Sequence, residues 1–151
     1  MEKITDLDNY RNKKILMDES KKLADYILEQ AQQGTAIHTV EQGIWDKLLK
    51  MGEQALGQFI ALQGDGDMGE QVELGSGRVV KRLPVQQTRI YRSIFGIYNL
   101  ERTVYGTREG QKIEFVPLDN RLQLPETRFS YLLQGWNQQL SVENPFNQVN
   151  K

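Results

Sequence analysis

Apolar residues recur at helical spacing through the first part of the chain. Over residues 15–33 they fall at intervals of four and seven, and Gly34 follows as a stop signal. A second stripe begins at Thr39, whose hydroxyl would form a capping box with Gln42. Its apolar positions lie three or four residues apart: Ile44, Leu48, Met51, Ala55, Phe59 and Leu62. We therefore predict a helical hairpin over residues 1–62. The apolar stripe of its second helix is broad enough to need packing partners on two sides.

The pattern changes to alternation after a glycine-rich stretch. Residues 63–77 hold five glycines and no sustained apolar period, which is typical of a linker. Strands are predicted over residues 88–95, 97–105 and 111–116, after a short basic strand or arm that Pro84 ends. The join at Gly96 is expected to be a bulge or a tight turn that recruits its neighbours. Pro117-Leu118-Asp119 then closes a basic antiparallel sheet over residues 78–119.

The last segment, residues 120–151, returns to helical spacing. An extended stretch through Pro125 precedes a helix predicted from about residue 127 to residue 141. Asn144 and Pro145 are typical of another helix start, yet the sequence ends at Lys151, so we expect a chain cut short of its C-terminal part. The predicted fold class is α+β: an N-terminal helical hairpin, a Gly/Asp-rich linker, a small three-stranded antiparallel sheet and a C-terminal helix.

Charge is distributed unevenly, although the net charge is only −1. Residues 78–128 contain ten Lys and Arg residues and five Asp and Glu residues. The rest of the chain contains nine basic and fifteen acidic residues. A positive segment can bind a polyanion, and the interleaved Tyr91, Tyr98 and Tyr105 could bond phosphates or stack on bases. The alternative is a solvated sheet in which arginines pair with glutamates such as Glu101, Glu109 and Glu114. The candidate DNA-contacting residues are Arg78, Lys81, Arg82, Arg89, Arg92, Arg102, Arg108 and Lys112.

Motifs for catalysis, metals and cofactors are not visible. The chain has no cysteine, which excludes thiolate sites and suits a reducing cytoplasm, and no apolar run approaches the ~20 residues of a membrane span. The acidic loop at residues 65–70 lacks the glutamate that a calcium loop needs at its twelfth position, Ser76. His38, the only histidine, is interpreted as a helix-start residue, and Asp119 as a turn former that bonds its own backbone. We predict no catalytic, cofactor-binding or metal-binding residue.

The segment from Arg89 to Tyr131 resembles the N-terminal region of bacterial insertion-sequence transposases of the ISKra group. The resemblance rests on Ile94-Phe95-Gly96, on the run from Leu100 to Lys112, on Pro117-Leu118-Asp119 with Leu122-Gln123-Leu124-Pro125, and on Phe129-Ser130-Tyr131. Many relatives place cysteines at the turn corresponding to residues 105–110, where this chain has none.

The resemblance implies a DDE-type transposase that cleaves DNA in a downstream domain with an acidic triad and a divalent metal. This chain would then be a non-catalytic fragment that contacts transposon-end DNA or helps to assemble the transposase, with possible self-association. The alternative is a stand-alone protein-interaction module, supported by the broad stripe of the second helix. A small metal-dependent enzyme is a third hypothesis, without a motif to support it.

Overall fold

The computed structural model describes residues 4–5, 13–107 and 112–136, and these have an α+β fold, as predicted. Two long helices precede short antiparallel strands and two short helices. The chain divides into two compact units: a helical unit that ends at Leu62, and a strand-rich unit that contains Ile4 and resumes at Gln63. The predicted helix start at Asn144 and the end of the predicted third helix lie outside the described residues.

The helical unit is formed by α1 (Lys13–Gln33) and α2 (Ile37–Gln63). Gly34 ends α1 with a positive φ of 64°, which confirms the stop signal, because glycine adopts this conformation without steric cost. The predicted capping box is wrong. Helix α2 begins two residues before Thr39, and the Gln42 amide donates to Asp46 Oδ1 at 2.9 Å instead of reaching back to the helix start.

A glycine on α2 sets the contact between the two helices. The ring of Tyr26 on α1 occupies the space where a side chain at Gly43 would lie. The Lys47 ammonium lies 4.8 Å from the centre of the same ring, a favourable cation–π distance. Further along the hairpin, Glu19 lies 4.0 Å from Lys50. The helices therefore run antiparallel, with α1 residues meeting α2 residues at matched distances from the loop.

The strands form two sheets, where the sequence predicted one of three strands. The strand bounds are β1 Ile4–Thr5, β2 Gln71–Glu73, β3 Val79–Arg82, β4 Gln87–Arg92, β5 Ile97–Arg102, β6 Tyr105–Gly106 and β7 Ile113–Phe115. The first sheet has the order β1-β5-β4 and the second the order β2-β3-β6-β7. The pairings between β2 and β3, β3 and β6, β4 and β5, and β6 and β7 are antiparallel.

The division into two sheets changes several predicted boundaries. The predicted strand over residues 97–105 breaks at Thr103 and Val104, where the chain leaves the first sheet for the second. Strand β2 lies inside the predicted linker. Between β4 and β5, the Ser93 hydroxyl accepts from the backbone N–H groups of Phe95 and Gly96, so the join is a tight turn that recruits its neighbours.

The core of the strand-rich unit is small and aromatic. Its six largest fully buried side chains come from both sheets, from the crossing between β5 and β6, and from the helix that follows the sheets: Val80, Tyr98, Leu100, Val104, Tyr105 and Leu118. Pro117 begins α3 (Pro117–Leu122) instead of closing a sheet, since proline is favoured in the first helical turn. Residues 131–136 form α4, which begins four residues later than predicted.

Candidate nucleic-acid interface

Two candidate arginines are paired with one carboxylate inside the strand-rich unit. Arg89 on β4 is in register with Leu100, and Arg102 on β5 is in register with Gln87, so both arginines lie on the same face of the hairpin. Asp119 Oδ2 on α3 accepts from Arg89 Nη1 at 3.1 Å and from Arg102 Nη1 at 2.6 Å. The two arginine side chains are only 17% and 13% exposed. This arrangement is a structural ion triad, and we use that name for it below.

The ion triad also fastens the segment after α3. Arg89 Nη2 donates to the backbone carbonyls of Pro125 and Thr127, the latter at 2.9 Å. Asp119 is therefore not the predicted turn former, because its side chain bonds residues that lie 17 and 30 positions away instead of its own backbone. Arg89 and Arg102 are occupied by these contacts, so they present little charge to an external phosphate.

Arg82 is paired at the end of β3 in the second sheet. It binds both oxygens of Asp67 at 2.8 and 2.9 Å. The Gly69 N–H, at 2.9 Å, and the Arg82 guanidinium together hold the pKa of Asp67 below its ordinary value. The Tyr105 hydroxyl donates to the Gly69 carbonyl and accepts from the Met68 N–H, both at 2.8 Å. The predicted linker is therefore attached to the second sheet by side chains from β3 and β6.

Arg78 is paired but still accessible. Its guanidinium lies 2.8 Å from Glu114 on β7, one of the glutamates expected in the pairing alternative, and its side chain remains 56% exposed. Arg92 is half-buried, and its backbone binds the Arg128 carbonyl and the Ser130 N–H. Arg108 lies outside the described residues. These arginines thus differ in how much charge they offer to a ligand.

Lys81 and Lys112 are the accessible, uncompensated members of the candidate set. Both are exposed, and neither forms an ion pair with another residue of the described ranges. Lys81 on β3 is in register with Gly106 on β6. The Lys112 backbone carbonyl approaches the same glycine so closely that a side chain there would collide with it. Lys81 and Lys112 therefore lie on either side of Gly106, with strand β6 between them.

The tyrosines predicted to stack on bases are not available for that role. Tyr98 and Tyr105 are completely buried. Tyr91 is half-buried, and burial raises the pKa of its phenol, an effect that the hydrogen bond with Ser130 partly offsets. Among the described residues of this unit, the exposed aromatic side chains are instead Phe95, Phe129, Tyr131 and Trp136.

Phe129 and the exposed Arg128 were not chosen from the sequence, although they lie beside a candidate. Phe129 forms an isolated parallel bridge with Arg92 at the end of β4. No sequence pattern announces this contact, since the two residues are far apart in the chain and Phe129 belongs to no regular strand. The basic and aromatic residues of 128–131 could have been selected only from their composition.

Comparisons of the chain with protein families, curated proteins and solved structures find no match. Within the described ranges, no helix combines the length and the apolar character needed to cross a bilayer. No group of three or more His, Asp or Glu side chains converges as a metal site among those same residues.

Proposed function

We propose that this chain is the non-catalytic N-terminal region of an ISKra-group insertion-sequence transposase, and that it contributes to binding transposon-end DNA or to assembling the transposase on it. The observation that carries the proposal is the order of motifs between residues 94 and 131, from Ile94-Phe95-Gly96 through Pro117-Leu118-Asp119 to Phe129-Ser130-Tyr131. The chemistry of cleavage and strand transfer would belong to a different part of such a transposase.

The surface charge of the second sheet supports a contact with DNA. Lys81 and Lys112 present ammonium groups without an intramolecular partner among the described residues. The largely exposed Arg78 directly precedes β3 of the same sheet. Such cations neutralise phosphates and release counter-ions, which favours binding without sequence discrimination. The proposed contact is therefore centred on Lys81 and Lys112 and not on Arg89 or Arg102, which serve the ion triad.

Salt-dependent binding to a labelled DNA duplex tests this proposal. The double variant Lys81→Ala/Lys112→Ala should bind more weakly, and the slope of log K against log salt should fall by about two, because each phosphate contact contributes about 0.9. The matched control, Lys81→Arg/Lys112→Arg, keeps both charges and should bind like the unchanged chain. Absence of binding at low salt, or equal salt slopes for the alanine and arginine pairs, would contradict a DNA interface at this site.

A protein-interaction module is the second candidate function. It is favoured by the apolar side chains that α2 leaves exposed, among them Trp45, Phe59 and Leu62. This candidate predicts no DNA binding even at low salt, together with association through the helical unit. The two candidates can be tested separately, because the lysines belong to the strand-rich unit and the apolar side chains to the helical unit.

A further inference from the structure

The exposed apolar residues of α2 follow a heptad repeat. Four large side chains of this helix are between 44% and 65% exposed, and the exposed Ala55 and the half-buried Gly52 continue their spacing. The steps along this series alternate between three and four residues: Trp45, Leu48, Gly52, Ala55, Phe59 and Leu62. These are the steps of the a and d positions of a coiled coil, which keep one stripe turned towards a partner helix. We call these six residues the α2 stripe.

The α2 stripe lies on the side of the helix that faces away from α1. At 3.6 residues per turn, Leu48 in the stripe lies about 140° around the helix axis from Gly43, where Tyr26 of α1 makes contact. Six residues of α2 that contact α1 or are buried follow steps of three and four on the opposite side: Gly43, Lys47, Lys50, Gln54, Gly57 and Ala61. Helix α1 therefore packs on one side of α2 and leaves the stripe on the other side uncovered.

The order of side-chain sizes along the α2 stripe is the same in both directions: two large, two small, two large. In an antiparallel pair of α2 helices that cross between residues 53 and 54, each stripe residue meets its mirror position: Trp45 with Leu62, Leu48 with Phe59 and Gly52 with Ala55 of the second copy. A twofold interface requires such self-complementarity, because the same surface serves both partners. The small central residues let the two backbones approach, while the large residues fill the space towards the ends.

We propose that two copies of this chain associate through the α2 stripe as an antiparallel coiled coil, with each α1 on the outer side. Antiparallel pairing places the positive end of each α2 dipole beside the negative end of the other, whereas parallel pairing would put the two Trp45 rings side by side. Met17 and Leu28, which are exposed on α1, take no part, because they lie about 180° around that helix from Tyr26.

The absence of charge beside the stripe favours a second copy over a charged partner. The positions that flank the stripe on its two sides are uncharged and mostly apolar: Ile44, Leu49, Met51, Leu56 and Gln58. Cores of protein interfaces are depleted of charge and enriched in Trp, Phe and Met. A basic or acidic peptide would find no counter-charge along this stripe, whereas a second copy matches it in both size and neutrality.

A depression beside the N-terminal half of the stripe supplies shape for the second copy. Its volume is about 390 Å³, and its lining includes Trp45 and Leu48 together with four further α2 residues: His38, Glu41, Gln42 and Ile44. The antiparallel arrangement brings Phe59 and Leu62 of the second copy onto this depression. Large side chains of one helix thus enter a recess of the other, as knobs enter holes in a coiled coil.

The size of the α2 stripe predicts a reversible dimer. Residues 45–62 span about 27 Å, and a stripe about 12 Å wide gives roughly 320 Å² per copy, below the ~800 Å² per partner of a standard interface. The dimer should therefore dissociate on dilution. The inference does not rest on DNA binding, since the Lys81→Ala/Lys112→Ala chain should associate equally well.

The mass of the full chain in solution tests the association. In sedimentation equilibrium between about 10 µM and about 1 mM, the range of a weak interface, the mass should rise from the 17.5 kDa of one chain to twice that value. Leu48→Glu should weaken dimerisation about tenfold or more, because it places a carboxylate against Phe59 of the second copy. The matched control, Leu28→Glu, changes a leucine that is 64% exposed on α1 and should leave the dimer intact.

A monomer at all concentrations would overturn the proposal. A mass that continues to rise beyond two chains, or equal weakening by the two glutamate variants, would also overturn it.

Single cysteines test the orientation and remain informative if Leu48→Glu fails to fold. The chain has no cysteine of its own, and Trp45 and Leu62 are 51% and 65% exposed. These two positions lie about 26 Å apart along α2, whereas a disulfide joins Cα atoms at most about 7 Å apart. Under mild oxidation, an equimolar mixture of Trp45→Cys and Leu62→Cys chains should give the mixed disulfide dimer, and either chain alone should give little. Absence of the mixed dimer, or efficient crosslinking of Trp45→Cys with itself, would refute the antiparallel arrangement.

Discussion

Replacing Asp119 by asparagine tests whether the ion triad holds the strand-rich unit together. The substitution keeps the shape of the side chain but removes the charge that Arg89 and Arg102 share at 3.1 and 2.6 Å. Two guanidinium groups that are 17% and 13% exposed would then face each other without a counter-charge. We expect this loss to weaken the attachment of α3 and of the segment through Thr127 to the first sheet.

The expected cost follows from the number of charge-assisted contacts. A hydrogen bond to a charged group contributes about 1.5–3 kcal/mol, and breaking a buried pair costs about 3–5 kcal/mol. Asp119 itself is 24% exposed, so water partly compensates the arginines and places the loss near 3 kcal/mol. If the free energy of unfolding falls by about 2 kcal/mol for each molar of urea, the urea concentration at the unfolding midpoint should decrease by about 1.5 M.

The assay can report on the strand-rich unit alone. Trp45 belongs to the helical unit and Trp136 to α4, so a Trp45→Phe background leaves Trp136 as the only fluorescent tryptophan. Urea unfolding would be followed by Trp136 fluorescence for Asp119→Asn and for the control Asp25→Asn, an exposed aspartate on α1. Equal midpoints for the two variants would refute the structural role assigned to the ion triad.

Three further predictions concern the strand-rich unit. Gly106→Ala should lower the free energy of unfolding by about 2–3 kcal/mol in urea, because the new methyl group meets the Lys112 carbonyl, whereas Gly75→Ala has open space and should have little effect. The pKa of Tyr91 is higher in the folded protein than in the unfolded chain, where it is about 10. Its contribution to stability is therefore complete below the unfolded pKa and is lost as the pH rises through the folded pKa. Tyr91→Phe should flatten the fall of the thermal unfolding midpoint at alkaline pH. The pKa of Asp67 is lower in the folded protein than in the unfolded chain, where it is about 3.9. Its contribution to stability is therefore present above the unfolded pKa and disappears as the pH falls through the folded pKa. Asp67→Asn should reduce the loss of stability below about pH 4, and an unchanged dependence of stability on acid pH would contradict the pairing of Asp67 with Arg82.

The helices were predictable because their signals are long and local. Apolar spacing located α1 and α2, and Gly34 marked the end of the first helix. The start of α2 was misplaced because Thr39 and Gln42 satisfy the capping pattern in sequence, although the helix extends two residues further towards its N-terminus. No local pattern indicated that Gly43, inside α2, provides the space for the ring of Tyr26.

The sheets and the ion triad depend on contacts that no local pattern reveals. Strand β6 is only two residues long, and the interruption at Thr103 and Val104 lies within a continuous β-like sequence. Asp119 follows local rules for a turn residue, but its partners lie on two strands of the first sheet. Composition therefore identified a basic β-rich segment, while the three-dimensional arrangement decided which cations are neutralised and which face solvent.

The two sheets are joined by very short crossings, and this limits how the gene can be rearranged. The chain passes from β3 to β4 through residues 83–86 and returns from β5 to β6 through Thr103 and Val104, both of which are buried. A recombination breakpoint or an inserted segment at either crossing would separate strands from their hydrogen-bonding neighbours. Because β2 pairs with β3 and β7 pairs with β6, residues 71–115 should consequently be inherited, exchanged or transplanted only as one block.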